Sequence, residues 1–163
     1  MKKLITPLIV LLAFTIASCG GGESTDTADD GSVKKKPASI LESTVPASER
    51  ITLDNKGVGR IKDLPLDATI DVEMVARGEK IFNTNCSACH KIDKRFIGPS
   101  PKGIMKRRSP EWIMNMILDP QLMVEQDRCA KDLLIEFNGA AMANQNMTVE
   151  QARDILEYFR TLD

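Results

Sequence analysis

The chain has 163 residues, of which 42% are hydrophobic, 28% charged and 4% aromatic, and its formal net charge is −1. This composition excludes a polytopic membrane protein, a disordered chain and a small disulfide-knotted protein. The near-neutral charge argues against nucleic-acid binding. Part of the apolar content lies in the first 18 residues. The remaining core is thin for a small domain, and such domains often need a metal, a cofactor or cross-links.

The first 18 residues have the pattern of an export signal. Lys2 and Lys3 precede an apolar run from Leu4 to Ala17, which is short for a membrane span. The run ends in Ile16-Ala17-Ser18-Cys19, which resembles the lipobox of bacterial lipoproteins. That resemblance implies a signal peptide over residues 1–18 and acylation of Cys19, and several acyl chains anchor a protein firmly. The alternative is an ordinary signal peptide with an incidental Cys.

Two segments without helical patterns separate Cys19 from the rest of the chain. Residues 19–46 are rich in Gly, Ser, Thr and Asp and contain Lys34-Lys35-Lys36-Pro37, which predicts a disordered tether. Residues 47–70 carry widely spaced apolar side chains and predict an extended arm packed along the domain. These side chains are Ile51, Leu53, Val58, Ile61, Leu64 and Leu66.

Helical signals begin at Asp71, and residues 71–163 are predicted to form the folded domain. Asp71 can cap a first helix in which Met74, Gly78, Ile81 and Phe82 share one face. Ser109-Pro110 predicts the start of a second helix, which Asp119-Pro120 ends.

Two more helices are predicted nearer the C-terminus. One covers Ala130 to Phe137, with Asn138-Gly139 as its stop signal. The residues Thr148-Val149-Glu150-Gln151 form a capping-box pattern that opens a last helix through Leu162. No stretch alternates like a strand, so the sequence predicts an all-α fold.

The strongest chemical motif is Cys86-Ser87-Ala88-Cys89-His90. Two thiols three residues apart can form thioethers with both vinyl groups of one haem, and the adjacent His can then ligate its iron. A zinc ribbon would need a second ligand pair, and a thioredoxin-like pair belongs near a βαβ pattern, which is missing from this sequence. A structural disulfide beside a surface His is the remaining alternative.

With this motif the chain resembles the class I mono-haem cytochromes c over about residues 71–163. The loop Ile97-Gly98-Pro99 matches the family's loop, in which the Pro carbonyl accepts the Nδ1–H of the proximal His. Gly78 with Phe82 and Ile155 with Tyr158 match the family's crossing pair of terminal helices. The resemblance implies a small cytochrome c fold with helices wrapped around one covalent haem c. Cys86 and Cys89 would attach the haem, and His90 would be the proximal ligand of the iron.

The family also implies a distal Met ligand in the loop before the last helix. His90 is the single His of the chain, so the ligand must be another residue type. Met142 lies in this loop, with Ala143 where the family usually has Pro. Met147 is an alternative, but it directly precedes the cap Thr148, where an apolar side chain usually packs on the helix. A third alternative is that neither Met ligates the iron.

Four further residues are candidates for secondary roles. Trp112 and Arg107 or Arg108 resemble residues that donate to haem propionates in the family; simple packing and solvated surface charges are the alternatives. Cys129 is the thiol left over after Cys19 and the haem-binding pair are assigned. We expect it to be buried rather than to form an intermolecular bridge.

The resemblance implies a membrane-tethered carrier of single electrons between respiratory partners. Upstream it would meet a quinol-oxidising complex or a cytochrome, and downstream a reductase or an oxidase. The chain would be exported, anchored through lipid and facing the periplasm or the cell exterior. No motif for a catalytic acid, a base or a substrate pocket is present, so neither an enzyme nor a small-molecule substrate is expected. The alternatives are a haem-based sensor or gas-binding protein and a fixed electron-entry subunit of a reductase or oxidase complex.

Charge is segregated along the domain. Residues 91–108 contain seven basic residues and one acid, whereas residues 109–163 contain four basic residues and ten acids. The resemblance places residues 91–108 near the haem edge, where a basic patch would steer an acidic partner. The alternative is a set of solvated loop charges without a partner.

Overall fold

Five α-helices lie within residues 44–162, the part of the chain that the computed structural model describes. They are α1 (Val72–Ile81), α2 (Pro110–Leu118), α3 (Pro120–Gln126), α4 (Arg128–Glu136) and α5 (Val149–Phe159). A π-helical turn over Phe82–Cys86 continues α1, and a 3-10 turn covers Ile104–Lys106. No β-strand occurs within this range, which confirms the all-α prediction. The predicted signal peptide, Cys19 and the tether up to residue 43 lie outside the described residues.

Helix starts follow the capping signals of the sequence. The Asp71 carboxylate accepts the backbone N–H groups of Glu73 and Met74, and the Ser109 hydroxyl accepts that of Trp112. Thr148 and Gln151 form both halves of a capping box. Each bond satisfies an N–H that has no partner inside its own helix.

The sequence did not predict α3, because Asp119-Pro120 was interpreted only as a stop. The Asp119 carboxylate accepts the N–H of Leu122 at 3.0 Å, so the same residue ends α2 and caps α3, with Pro120 in its first turn. Asp127 caps α4 in the same way and moves its start to Arg128, ahead of the predicted Ala130. The last helix ends at Phe159 rather than Leu162, because residues 160–162 form a tighter turn.

The helices α1 and α5 cross in close contact. Gly78 is buried at the crossing, where a Cβ atom would collide with the backbone carbonyl of Asp154. The aromatic rings of Phe82, Tyr158 and Phe159 pack beside it, with centroids 5.7 to 6.2 Å apart. This crossing fixes the position of the turn that follows α1 and carries Cys86.

Residues 44–70 form no helix and lie along α2, α3 and α4. Several of their backbone groups bond to side chains: buried Asn115 accepts the N–H of Ile61 and donates to the carbonyls of Lys56 and Ile61. The side chains of Val58, Ile61, Leu64 and Leu66 pack against the core, whereas Ile51 and Leu53 are exposed. This segment therefore covers core surface that the helices leave open. In the described part of the chain, no helix is both long and apolar enough to cross a membrane.

The close approach at Gly78 generates a stability prediction. We expect Gly78→Ala to lower the free energy of unfolding by about 2 kcal/mol, because overpacking outweighs the better helix propensity of Ala. The measurement is denaturant unfolding of the haem-containing protein. Glu79→Ala, at an exposed position of α1, is the matched control and should change the free energy by less than about 0.5 kcal/mol. Equal stability of Gly78→Ala and wild type would contradict the close crossing.

Candidate functional site

The Cys86–His90 motif lies at the end of the π-helical turn. The backbone N–H groups of Cys89 and His90 both donate to the Cys86 carbonyl, at 3.0 and 2.9 Å. Buried Phe82 anchors the start of this turn in the core, and the N–H of Ser87 donates back to its carbonyl. Cys86 and Cys89 are both free thiols. The helix end therefore brings two thiols and one imidazole together.

The ring of His90 is held in one tautomer. Its Nδ1 lies 2.8 Å from the carbonyl oxygen of Pro99. A carbonyl only accepts hydrogen bonds, so in the neutral ring this contact places the proton on Nδ1 and leaves the lone pair on Nε2. The Gly98 N–H donates to the Cys89 carbonyl at 2.9 Å, which fixes the Pro99 loop against the motif. His90 can therefore ligate a metal through Nε2.

Gly98 provides the space in which the imidazole ring lies. A Cβ atom at this position would lie 2.5 Å from Cε1 and 2.8 Å from Nδ1 of His90. Both distances are too short for non-bonded atoms, so any larger residue would move the ring or the loop. Gly98 and Pro99 together determine the orientation of His90.

A cavity of about 230 Å³ adjoins the motif, and its wall is mostly apolar. Cys86, Cys89, His90 and Pro99 line it, together with Met142 and Met147. Both methionines are half-buried, and both belong to the loop before α5, as the sequence indicated. The structure thus brings the two thiols, the imidazole and two candidate thioether ligands to one cavity, and the choice of Met142 stays a prediction.

The three candidates for propionate contacts also lie in the cavity wall. The indole N–H of Trp112 already donates to Asp127 at 3.0 Å, so it is engaged within the protein. Arg107 donates to the carbonyls of Lys102 and Ser100. Arg108 is only 2% exposed and donates to the carbonyls of Ala47 and Arg50. Its buried Nε–H has no hydrogen-bond partner within residues 44–162.

Two sequence-based expectations about single residues have clear structural outcomes. Cys129 is 5% exposed, so it is buried as expected, and this burial raises the pKa of its thiol. Arg108 was counted with the basic surface of residues 91–108, but it is buried and cannot belong to a docking surface. Arg95, in the same stretch, forms an ion pair with Glu136 at 2.8 Å, so it is not an unpaired charge of that surface.

Two carboxylates near the cavity were missed from the sequence. Asp127 accepts from Trp112, from Asn55 and from the N–H of Ala130, so it joins residues 44–70 to the cavity wall. Glu136 accepts from Ser48 and Arg95. A capping signal at Asp127 was available in the sequence, whereas the partners of Glu136 are 41 and 88 residues away and leave no local pattern.

Comparisons with known proteins agree with this site. A family model described as Cytochrome c matches residues 75–163. The cytochrome c-553-like protein of Synechocystis sp. is 41% identical over 46 residues, which are 28% of this chain and 44% of that protein. The chain therefore spans less than half the length of this curated relative.

Solved structures give a broader match. Cytochrome c from Rhodothermus marinus is 38% identical with a TM-score of 0.62, over 72% of this chain and 93% of that chain. An engineered cytochrome c from the same organism, Rma TDE bound to a carbene intermediate, is 38% identical with a TM-score of 0.60. That match covers 72% of this chain and 94% of the engineered chain.

The chain belongs to the cytochrome c family, because the family model matches more than half of its length. The resemblance to class I mono-haem cytochromes c is thereby confirmed, as is the small helical fold. Proteins of this family carry covalent haem c with its iron and transfer electrons. The residues present fit this group: two free thiols, an imidazole with an available Nε2 and the two thioethers of the loop before α5 meet at one mostly apolar cavity.

The Gly98 contact predicts that substitution of Gly98 changes the reduction potential more than substitution of Pro99. We expect Gly98→Ala to lower the free energy of unfolding of the haem protein by about 2 kcal/mol. It should also raise the reduction potential, because a weaker bond to Pro99 makes His90 a poorer donor. Pro99→Ala keeps the carbonyl acceptor and should change the potential less. Potentiometry of both variants checks this, and an unchanged potential in Gly98→Ala would contradict it.

Proposed function

We propose that this protein is a lipid-anchored, non-enzymatic carrier of single electrons between respiratory partners outside the cytoplasm. The observation that supports it most strongly is the His90 imidazole, fixed by Pro99 and Gly98 beside two thiols and a Met-bearing loop. The site contains ligands for a haem, and a fully ligated iron exchanges electrons without binding substrate. The partners we propose are a quinol-oxidising complex or cytochrome upstream and a reductase or oxidase downstream.

The chain's own residues hold the redox group and set its potential. When bound, haem c supplies a reversible one-electron change at its iron. Cys86 and Cys89 would attach it through thioethers, and His90 would donate to the iron through Nε2. The bond to the Pro99 carbonyl keeps the imidazole electron-rich and stops it from rotating. The mostly apolar cavity wall would keep water away from the bound group, which limits reorganisation when its charge changes.

Met142 is the distal ligand that we propose. Met147 packs against the buried core, as expected for an apolar residue that precedes a helix cap. Met142 lines the cavity and, among the described residues, does not belong to that core cluster. Its thioether is therefore the one that can turn to the iron without opening a gap in the core.

Substitution of each Met separates the two roles. Met142→Ala should abolish the Met–iron absorption band and lower the potential by roughly 0.1–0.3 V, part of the range of about 0.8 V that axial ligands set. Met147→Ala should keep the band and lower the unfolding free energy by about 2 kcal/mol. Loss of the band in Met147→Ala, with the band intact in Met142→Ala, would reverse the assignment. Ready carbon monoxide binding by the wild type would instead favour a gas-binding protein.

A smaller basic surface than the sequence suggested supports docking to an acidic partner. Lys94, Lys102 and Lys106 are exposed and form no ion pair with another residue in the range 44–162. The half-exposed side chains of Phe96 and Ile97 lie in the same stretch, and Ile97 also lines the cavity. Unpaired lysines in the same stretch of chain as an exposed apolar residue of the cavity wall favour an acidic partner through its association rate.

Charge reversal tests this docking surface. Lys94→Glu combined with Lys102→Glu should slow electron transfer to an acidic partner at least about tenfold at low salt. The wild-type rate should fall steeply with ionic strength, because the screening length is only about 10 Å at 0.1 M salt. Stopped-flow rates across ionic strengths measure both effects. A rate that ignores salt and charge reversal would exclude this surface.

The anchor rests on the sequence Ile16-Ala17-Ser18-Cys19 alone. We expect Cys19→Ser to release the protein from membranes or to stall its processing, since the acylated thiol is lost. Haem attachment should be unaffected, because Cys86 and Cys89 are unchanged. Membrane fractionation with haem staining measures both properties. A correctly cleaved Cys19→Ser protein that stays on the membrane would contradict lipid anchoring.

A further inference from the structure

One arginine joins the two loops that adjoin the haem cavity. Arg95 lies in the segment between His90 and Pro99, and its Nη1 donates to the Glu136 carboxylate at 2.8 Å. Its Nη2 donates to the backbone carbonyl of Glu136 at 2.5 Å. The same guanidinium lies 3.9 Å from the centroid of the Phe137 ring. A single side chain thus makes two hydrogen bonds and one stacking contact with adjacent residues.

Glu136 is held from a second direction. The backbone N–H of Ser48 donates to its Oε2 at 2.8 Å, and the Ser48 hydroxyl donates to its Oε1 at 2.6 Å. The Glu136 side chain is 15% exposed, whereas that of Arg95 is 53% exposed. Burial alone would raise the pKa of Glu136, but the bonds from Ser48 and the charge of Arg95 outweigh it and lower that pKa. The carboxylate is therefore a fixed, charged acceptor for Arg95.

These contacts lie where the loop between α4 and α5 begins. Glu136 is the last residue of α4, and Phe137 begins the loop that carries Met142 and Met147. The loop leaves the helix through Asn138 and Gly139, both with positive φ. Within residues 44–162, residues 140–147 make only local hydrogen bonds, and no side-chain or backbone bond joins them to a distant segment. The hydrogen-bond restraint on this loop is therefore concentrated at its two ends.

We propose that Arg95 is a positioning residue for the distal ligand, closing the haem crevice by clamping the entrance of loop 137–147 to the loop that holds His90. This inference rests on the proposed function, in which a Met of this loop ligates the iron. It holds whether that ligand is Met142 or Met147. A solvated ion pair would contribute little to stability. Arg95 differs because its charged, two-point contact and its stacking on Phe137 act together on one short segment.

The clamp predicts local opening when it is removed. In Arg95→Gln, backbone amides of residues 138–147 should exchange with solvent about fivefold faster, whereas those of α1 and α5 should be unchanged. Imidazole should bind to the oxidised haem protein faster by a similar factor, because it enters only when the distal ligand leaves. Arg95→Lys keeps the charge but not the two-point geometry, and should fall between Arg95→Gln and wild type.

The matched control is Arg128→Gln. Arg128 makes an ion pair with Asp132, which also lies in α4, and within residues 44–162 it has no hydrogen bond or ion pair with residues 137–147. This variant should exchange amides and bind imidazole like the wild type. Hydrogen exchange read by mass spectrometry and stopped-flow imidazole binding provide the measurements.

Two results would overturn the clamp. One is Arg95→Gln matching Arg128→Gln in both measurements. The other is faster exchange spread equally over the loop, α1 and α5, which would show a general loss of stability. Failure of the proposed ligand is a separate outcome: the Met–iron band would be missing from the wild type, and amide exchange of the loop would still decide for or against the clamp.

Discussion

The hydrogen bond between His90 Nδ1 and the Pro99 carbonyl is the contact on which the site depends. It selects the tautomer, fixes the plane of the ring and leaves Nε2 as the only nitrogen available to iron. Gly98 and the turn after α1 hold the His90 ring and the Pro99 loop in the positions that this hydrogen bond needs. Gly98 leaves room for the ring, its N–H holds the loop on Cys89, and the turn after α1 brings both thiols beside the ring. The crossing of α1 and α5 at Gly78 in turn holds that turn in place.

The segment 44–70 belongs to the site as well as to the fold. Asn55 bonds to Asp127, which orients Trp112 in the cavity wall, and Ser48 bonds to Glu136 at the entrance of the Met-bearing loop. Asp127 and Glu136 each bond to a residue of this segment and to a residue outside it. The segment and the cavity wall therefore stabilise each other. The segment begins within the last residues of the predicted tether, 19–46, and continues to α1.

Local signals in the sequence predicted most of the fold. Asp71, Ser109 and Thr148 each cap a helix through a bond within three residues, so their patterns can be recognised without knowing the tertiary structure. Cys86, Cys89 and His90 are likewise contiguous. The short helix α3 was missed because Asp119 serves two helices at once. The sequence could not predict burial of Arg108, because its acceptors are carbonyls about 60 residues away. The Arg95–Glu136 pair could not be predicted either, because its two residues are 41 positions apart. Sequence position alone does not decide between Met142 and Met147.

We propose that His90 donates to iron through Nε2 while its Nδ1–H stays bonded to the Pro99 carbonyl. Nitrogen-15 NMR of the reduced haem protein tests it directly, and the assignment is unambiguous because the chain has a single His. We expect a proton on Nδ1 that exchanges slowly with water, together with an Nε2 that carries no proton. A proton on Nε2, or an Nδ1 proton that exchanges as fast as that of a free imidazole, would contradict it.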